Sequence, residues 1–95
     1  MRIEGIIWLE NVERKIWDKH RVQPDEVEAV LEADPHVRFV ERGFRKGEDV
    51  YSALGRTRGG RYLIVDFVYK PRTREALVVT ARGMTRKERR QYGKA

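Results

Sequence analysis

The chain has 95 residues, of which 38% are charged and none is cysteine, and its formal net charge is +6. One domain of this length buries a modest core, which excludes a large internal cavity, while the missing cysteines exclude disulfides and thiolate metal sites. Residues 1–55 carry 9 Lys and Arg against 12 Asp and Glu, but residues 56–95 carry 12 against 3, which favours a polyanionic partner over a basic face kept only for solubility.

Residues 3–8 alternate weakly and are rich in isoleucine, which predicts a short strand. Asn11 offers an N-cap, and Val12, Ile16 and His20 recur on one face of a helix over about residues 12–20. Pro24, Asp25 and Glu26 make a favoured opening for a second helix, about residues 24–33, because acidic groups suit the positive end of the helix dipole. Val27, Val30 and Leu31 form its apolar face, and Asp34-Pro35 ends it.

From there the hydrophobic period falls to two. Strands are predicted near 36–42 and 48–56, around a charged turn from Gly43 to Gly47. Arg58-Gly59-Gly60-Arg61 reads as a hairpin turn, since paired glycines supply the positive φ that tight turns need. Tyr62 to Tyr69 is the most apolar run and predicts a central strand buried on both faces. Its Tyr62, Phe67 and Tyr69 read as core more than as base-stacking platforms, and Asp66 is expected to find an arginine as a structural ion-pair partner. A basic loop from Lys70 to Arg74 leads to a last strand, Ala76 to Arg82. Thr85 and Glu88 then form a capping box for a final helix over about residues 86–92. The expected fold class is α+β, with two N-terminal helices packed on an antiparallel sheet of about four to five strands and a short C-terminal helix, in one domain over residues 1–95.

No apolar run nears the roughly 18–20 residues of a bilayer span, and the N-terminus does not read as a signal peptide, so a cytoplasmic protein without a membrane partner is expected. His20 and His36 are the two imidazoles, and their spacing suggests no metal site; no cofactor is expected.

The chemistry concentrates near the C-terminus. On a helical period Thr85, Glu88, Arg89 and Tyr92 share one side and Arg86 and Arg90 another, while Arg82 ends the preceding strand. Glu88 is either a capping carboxylate alone or part of a site, and Tyr92 either packs on the sheet or acts chemically. His20 ends the first helix beside Lys19, as a cation at the negative dipole end or as a general acid or base. Metal-free RNA cleavage needs a base for the ribose 2′-hydroxyl, cations for the charge gathering on phosphate, and an acid for the departing 5′ oxygen. Arg82 and Arg89 suit the cationic task, because a guanidinium fork matches phosphate oxygens. His20 or Glu88 suits the base, and Tyr92 or His20 the acid. Arg56, Arg58 and Arg61 flank the glycine turn, where they either steer a phosphate backbone or merely keep the turn soluble. No role is assigned to His36.

The run Thr80-Ala81-Arg82-Gly83-Met84-Thr85-Arg86-Lys87-Glu88-Arg89-Arg90-Gln91-Tyr92 resembles the C-terminal signature of BrnT-type toxins, a strand ending in Ser/Thr-Ala-Arg followed by a helix carrying Thr-x-x-Glu-Arg-x-x-Tyr. Trp8, Lys19-His20, and the stretch from Leu54-Gly55-Arg56-Thr57 to Gly60-Arg61-Tyr62-Leu63 resemble the N-terminal and central patterns of that family. The resemblance implies a RelE-like fold, ribonuclease activity in a bacterium or archaeon, and a cognate antitoxin, usually of ribbon-helix-helix type, through which alone DNA is reached. Matching positions suggest His20, Arg82, Glu88, Arg89 and Tyr92 as the functional set, with Lys19, Arg56, Arg61 and Arg86 as substrate-binding residues. The chain departs from the pattern at Leu9, Arg21 and Leu77, where aspartate, glycine and arginine are usual, and at Glu48-Asp49-Val50, where Glu-x-Arg is usual. Two potential phosphate-binding arginines are thereby missing. The competing expectation is a catalytically weak or inactive module that binds RNA or the antitoxin; a direct DNA reader lacks helix-turn-helix spacing.

Overall fold

A computed structural model of the chain describes residues 1–94. In order they form β1 (Gly5–Ile7), α1 (Glu10–His20), α2 (Pro24–Glu32), β2 (His36–Glu41), β3 (Val50–Arg56), β4 (Tyr62–Lys70), β5 (Glu75–Gly83) and α3 (Arg86–Gly93). The sheet order is β1-β5-β4-β3-β2, so the apolar β4 is central, as its composition predicts.

Strands β2 to β5 make the expected antiparallel meander. The first strand does not follow that expectation: β1 pairs parallel with β5, Ile6 opposite Ala76, so the sheet is mixed. Only Trp8 and Leu9 separate β1 from α1, which packs on β5. The chain therefore passes from the sheet edge onto its face without reversing, and that sets the direction of β1.

Helices α1 and α2 cover one sheet face. Ile16, Val27, Val30 and Leu31 bury against Leu63, Val65, Phe67 and their neighbours. Contact is closest at Gly55, where an added Cβ would lie 2.9 Å from Val30 Cγ1. Helix α1 begins at Glu10 after Leu9, with no side-chain cap, so Asn11 lies within the helix and does not cap it. It ends at Arg21, whose left-handed φ of 52° lets its N–H reach the Trp17 carbonyl. Arg61, at the start of β4, ties down this end: it donates to the His20 carbonyl at 2.9 Å and the Arg21 carbonyl at 2.7 Å, and pairs with Glu26 at 3.0 Å. A cation there also opposes the negative end of the α1 dipole.

The other sheet face carries no helix except α3. On it lie Tyr62, Ile64, Asp66 and Val68 of β4, alternating with the core-facing Leu63, Val65 and Phe67. The expected burial of β4 on both sides is thus complete for Leu63, Val65 and Phe67 on one side, where Tyr69 is half-buried, and partial on the other. Phe67 is core, as expected, whereas Tyr62 lies on the open face. Asp66 accepts a hydrogen bond from the Ser52 hydroxyl and not, as expected, from an arginine.

Candidate functional site

Strand register sets the open face out in rows. One row runs His36, Leu54, Ile64, Arg82 across β2 to β5. Beside it Arg56 sits opposite Tyr62, and on the other side Arg38, Ser52, Asp66 and Thr80 form a polar row. Helix α3 folds back over the first two rows.

Its attachment is specific. Arg82 grips Glu88 with both guanidinium nitrogens, Nη1 to Oε1 at 2.8 Å and Nη2 to Oε2 at 2.9 Å. The capping box forms as its sequence predicts: the Glu88 carboxylate accepts the Thr85 N–H at 2.8 Å, and the Thr85 hydroxyl accepts the Glu88 N–H at 3.1 Å. The Arg82 hydrogen bond, aided by the Thr85 amide and opposed by burial, lowers the Glu88 pKa from 4.5 to about 2. The same bond raises the Arg82 pKa above its ordinary value. Glu88 is therefore ionised at any physiological pH, and its carboxylate is committed to the guanidinium and the cap.

One turn further on, Tyr92 meets Tyr62 edge to face with centroids 6.2 Å apart. The Arg89 guanidinium lies 4.2 Å from the centroid of the same Tyr62 ring, and that of Arg56 lies 5.2 Å from it. Such stacking orients a guanidinium without neutralising it. No carboxylate lies within ion-pair distance of Arg56, Arg86, Arg89 or Arg90 among the described residues. No α3 side chain is buried. The helix is thus held by an ion pair and aromatic contacts, with its remaining positive charge turned to solvent.

Arg82, Glu88, Arg89, Tyr92 and Arg56 come together on this face, and Arg86 lines the same cleft as Tyr62 and Arg89. Lys19 and His20 end α1 in the helical layer, at the same end of the sheet but on its other side. Arg61 is turned to that side as well, engaged with the end of α1 and Glu26. Sequence reasoning missed Tyr62 as the platform that both arginines share; its alternation with Leu63 carries the signal. His36 ends the same row as Arg82, a placement that no local pattern predicts.

At the far end of the open face, Val50, Val68 and Leu77 floor a groove of about 680 Å³ beside a fully exposed Phe44. Among the described residues no group of three or more His, Cys, Asp or Glu is placed to share a metal ion. No helix among them is long and apolar enough to cross a membrane.

The sequence over residues 8–88 matches the family model of BrnT, the ribonuclease toxin of type II toxin–antitoxin systems. The chain belongs to this toxin family. A cognate antitoxin is the partner such membership implies. No curated protein matches the chain. The matched span of the toxin opens at Trp8, whose indole N–H donates to Glu28 on α2 at 3.0 Å, and closes at Glu88, the carboxylate that grips Arg82. Arg89 and Tyr92 lie just beyond it.

Proposed function

We propose that this BrnT-family toxin has a RelE-like fold and is a metal-independent endoribonuclease whose open sheet face, closed at one end by α3, binds and cuts RNA. The observation that carries this reading is the two-pronged Arg82–Glu88 pair, which pins α3 so that Arg89 and Tyr92 stand beside Arg56 and Tyr62. Two uncompensated guanidinium groups on an aromatic ring suit a phosphodiester and the base next to it. The ribose 2′-oxygen, losing its proton to a base, attacks phosphorus as the bond to the 5′ oxygen breaks. Arg56 and Arg89 hold the added charge on phosphate, with Arg82 behind them, and Arg86 extends the basic track. Glu88 positions Arg82 and α3. Tyr92 and an imidazole at this end of the sheet supply the proton transfers, each worth roughly 10²–10⁴-fold.

The cognate antitoxin is proposed to be of ribbon-helix-helix type, with DNA reached only through it, and the basic second half of the toxin to dock an acidic segment. Toxin freed of antitoxin and treated with a chelator should cleave RNA and leave 2′,3′-cyclic phosphate and 5′-hydroxyl ends. RNA that stays intact over a broad range of pH and protein concentration counts against this reading. One observation favours the alternative of a catalytically silent binding module: Arg82 is already neutralised by Glu88. That alternative expects salt-sensitive RNA binding without cleavage.

A further inference from the structure

The proposed reaction needs an imidazole, and the chain's two histidines bracket the same sheet end from opposite faces. We propose that His36, the first residue of β2, is the one that touches RNA and moves a proton there. This inference rests on the ribonuclease reading and names one more catalytic residue for it.

The register supplies the argument. His36 pairs with Leu54, Leu54 with Ile64, and Ile64 with Arg82, so imidazole and guanidinium end one row of the open face. Three strand steps of ~4.8 Å put their backbones ~14 Å apart. The floor between them, Leu54 and Ile64, is apolar and only 2% and 5% exposed. Arg56 follows Leu54 by two residues on β3, which makes it the diagonal neighbour of His36, at a distance of roughly 7–8 Å. The guanidinium nearest His36 on β3 is thus one of the two that lie against Tyr62. Helix α3 brings the phenol: His36 and Tyr92 line one open cleft with Asp34, Pro35 and Gly93.

The His36 side chain is exposed and makes no side-chain hydrogen bond among the described residues, which leaves both ring nitrogens for a ligand. The end of α1 that carries His20 is held by Arg61 in the other layer. A phosphodiester lying against Arg56 and Arg89 would therefore have His36 on its β2 side and Tyr92 above it. Neutral His36 takes the 2′-hydroxyl proton as the 2′-oxygen bonds to phosphorus. Tyr92 gives its proton to the departing 5′ oxygen; the His36 proton then passes to solvent, and solvent returns one to Tyr92. The charged and titratable groups facing His36 are Asp34 and Arg38 on its own segment, Arg56 on β3 and Tyr92 on α3. Two of these four are cations and one is a carboxylate.

The test compares wild type, His36→Ala, His36→Gln and His20→Ala as full-length, antitoxin-free proteins on a single-stranded oligoribonucleotide, with rates taken as a function of pH. The expected result is a wild-type rate with a limb that rises with pH, as general-base catalysis requires. His36→Ala and His36→Gln should lower kcat by roughly 10²–10⁴-fold with KM nearly unchanged and flatten that limb. Added free imidazole should restore part of the His36→Ala rate, which a merely structural role would not allow. Circular dichroism melts coincident with wild type confirm that the exposed substitution leaves the fold intact. Wild-type cleavage that survives His36→Ala with its pH limb unchanged overturns the assignment while leaving the ribonuclease reading standing. So does loss of the limb in His20→Ala but not in His36→Ala. Wild-type protein that leaves the RNA whole overturns both.

Discussion

On the helix-facing side of β4, Leu63, Val65 and Phe67 are fully buried, while on its opposite side Ile64 is buried but Tyr62, Asp66 and Val68 remain half-buried. The helical side is held by many weak, undirected contacts among apolar groups. The open side buries Leu54 and Ile64 but relies more on directed contacts, among them a two-pronged ion pair, two guanidinium–ring contacts, a ring–ring contact and the Ser52–Asp66 hydrogen bond. Most of the core and the proposed chemistry thus lie on opposite sides of the same strand, and substitutions on one side should leave the other's property largely intact.

The largest test of that division lies in the core. Phe67→Ala should cost about 3–5 kcal/mol in denaturant unfolding, because the ring is fully buried. A cost below about 1 kcal/mol would break the comparison. On the open side, replacing Arg56 and Arg89 together by Ala should weaken RNA binding by about tenfold for each lost contact. It should also flatten the dependence of log K on log salt by about 0.7 per contact, with the unfolding midpoint nearly unchanged. An unaltered salt slope would remove these two arginines from the site.

Smaller effects sharpen the boundary. Arg61→Ala should lower stability by about 1–2 kcal/mol, a value reduced because the guanidinium is 38% exposed. A loss of structure at the α1–α2 junction, read by amide exchange, checks its origin. The smallest effect concerns Glu88. Its folded-state pKa, about 2, lies below the ordinary 4.5. The stabilisation it gives is therefore complete above about pH 4.5 and disappears as pH falls through about 2. Thermal melts should show wild type losing more stability in that window than Glu88→Gln does. Parallel acid profiles would mean that the carboxylate does not hold α3.

Much of the helical side was legible from the sequence, since periodicity reports burial and α2, β4 and α3 each carry strong local patterns. Pro24 and the Thr85–Glu88 capping box mark their helix starts because a cap is made within four residues. The start of α1 was misread because the chain leaves β1 too soon for Asn11 to act as a cap. The direction of β1 was hidden, because three residues hold no alternation and their partner lies some seventy residues further along. The open side was half legible. The grouping of Glu88, Arg89 and Tyr92 follows from helix period alone. The placement of His36 on the face that holds Arg56 and Tyr62 depends on cross-strand register, which no local window contains. Asp66 took a hydroxyl because Ser52 is its direct cross-strand neighbour.

Strand β1 finds its partner only in β5, and the join is reinforced by the Glu4 N–H on the Arg74 carbonyl at 2.7 Å and the Tyr69 hydroxyl on the Arg2 carbonyl at 2.7 Å. The segment that forms β1 therefore waits for a strand some seventy residues further along the chain. Closing so long a loop is entropically costly and slow, and α1, which packs on β5, waits with it. A product cut short before β5 loses its opening strand and the seat of its first helix along with the basic tail. The pairing thus ties the order of residues 2–7 to that of residues 69–77.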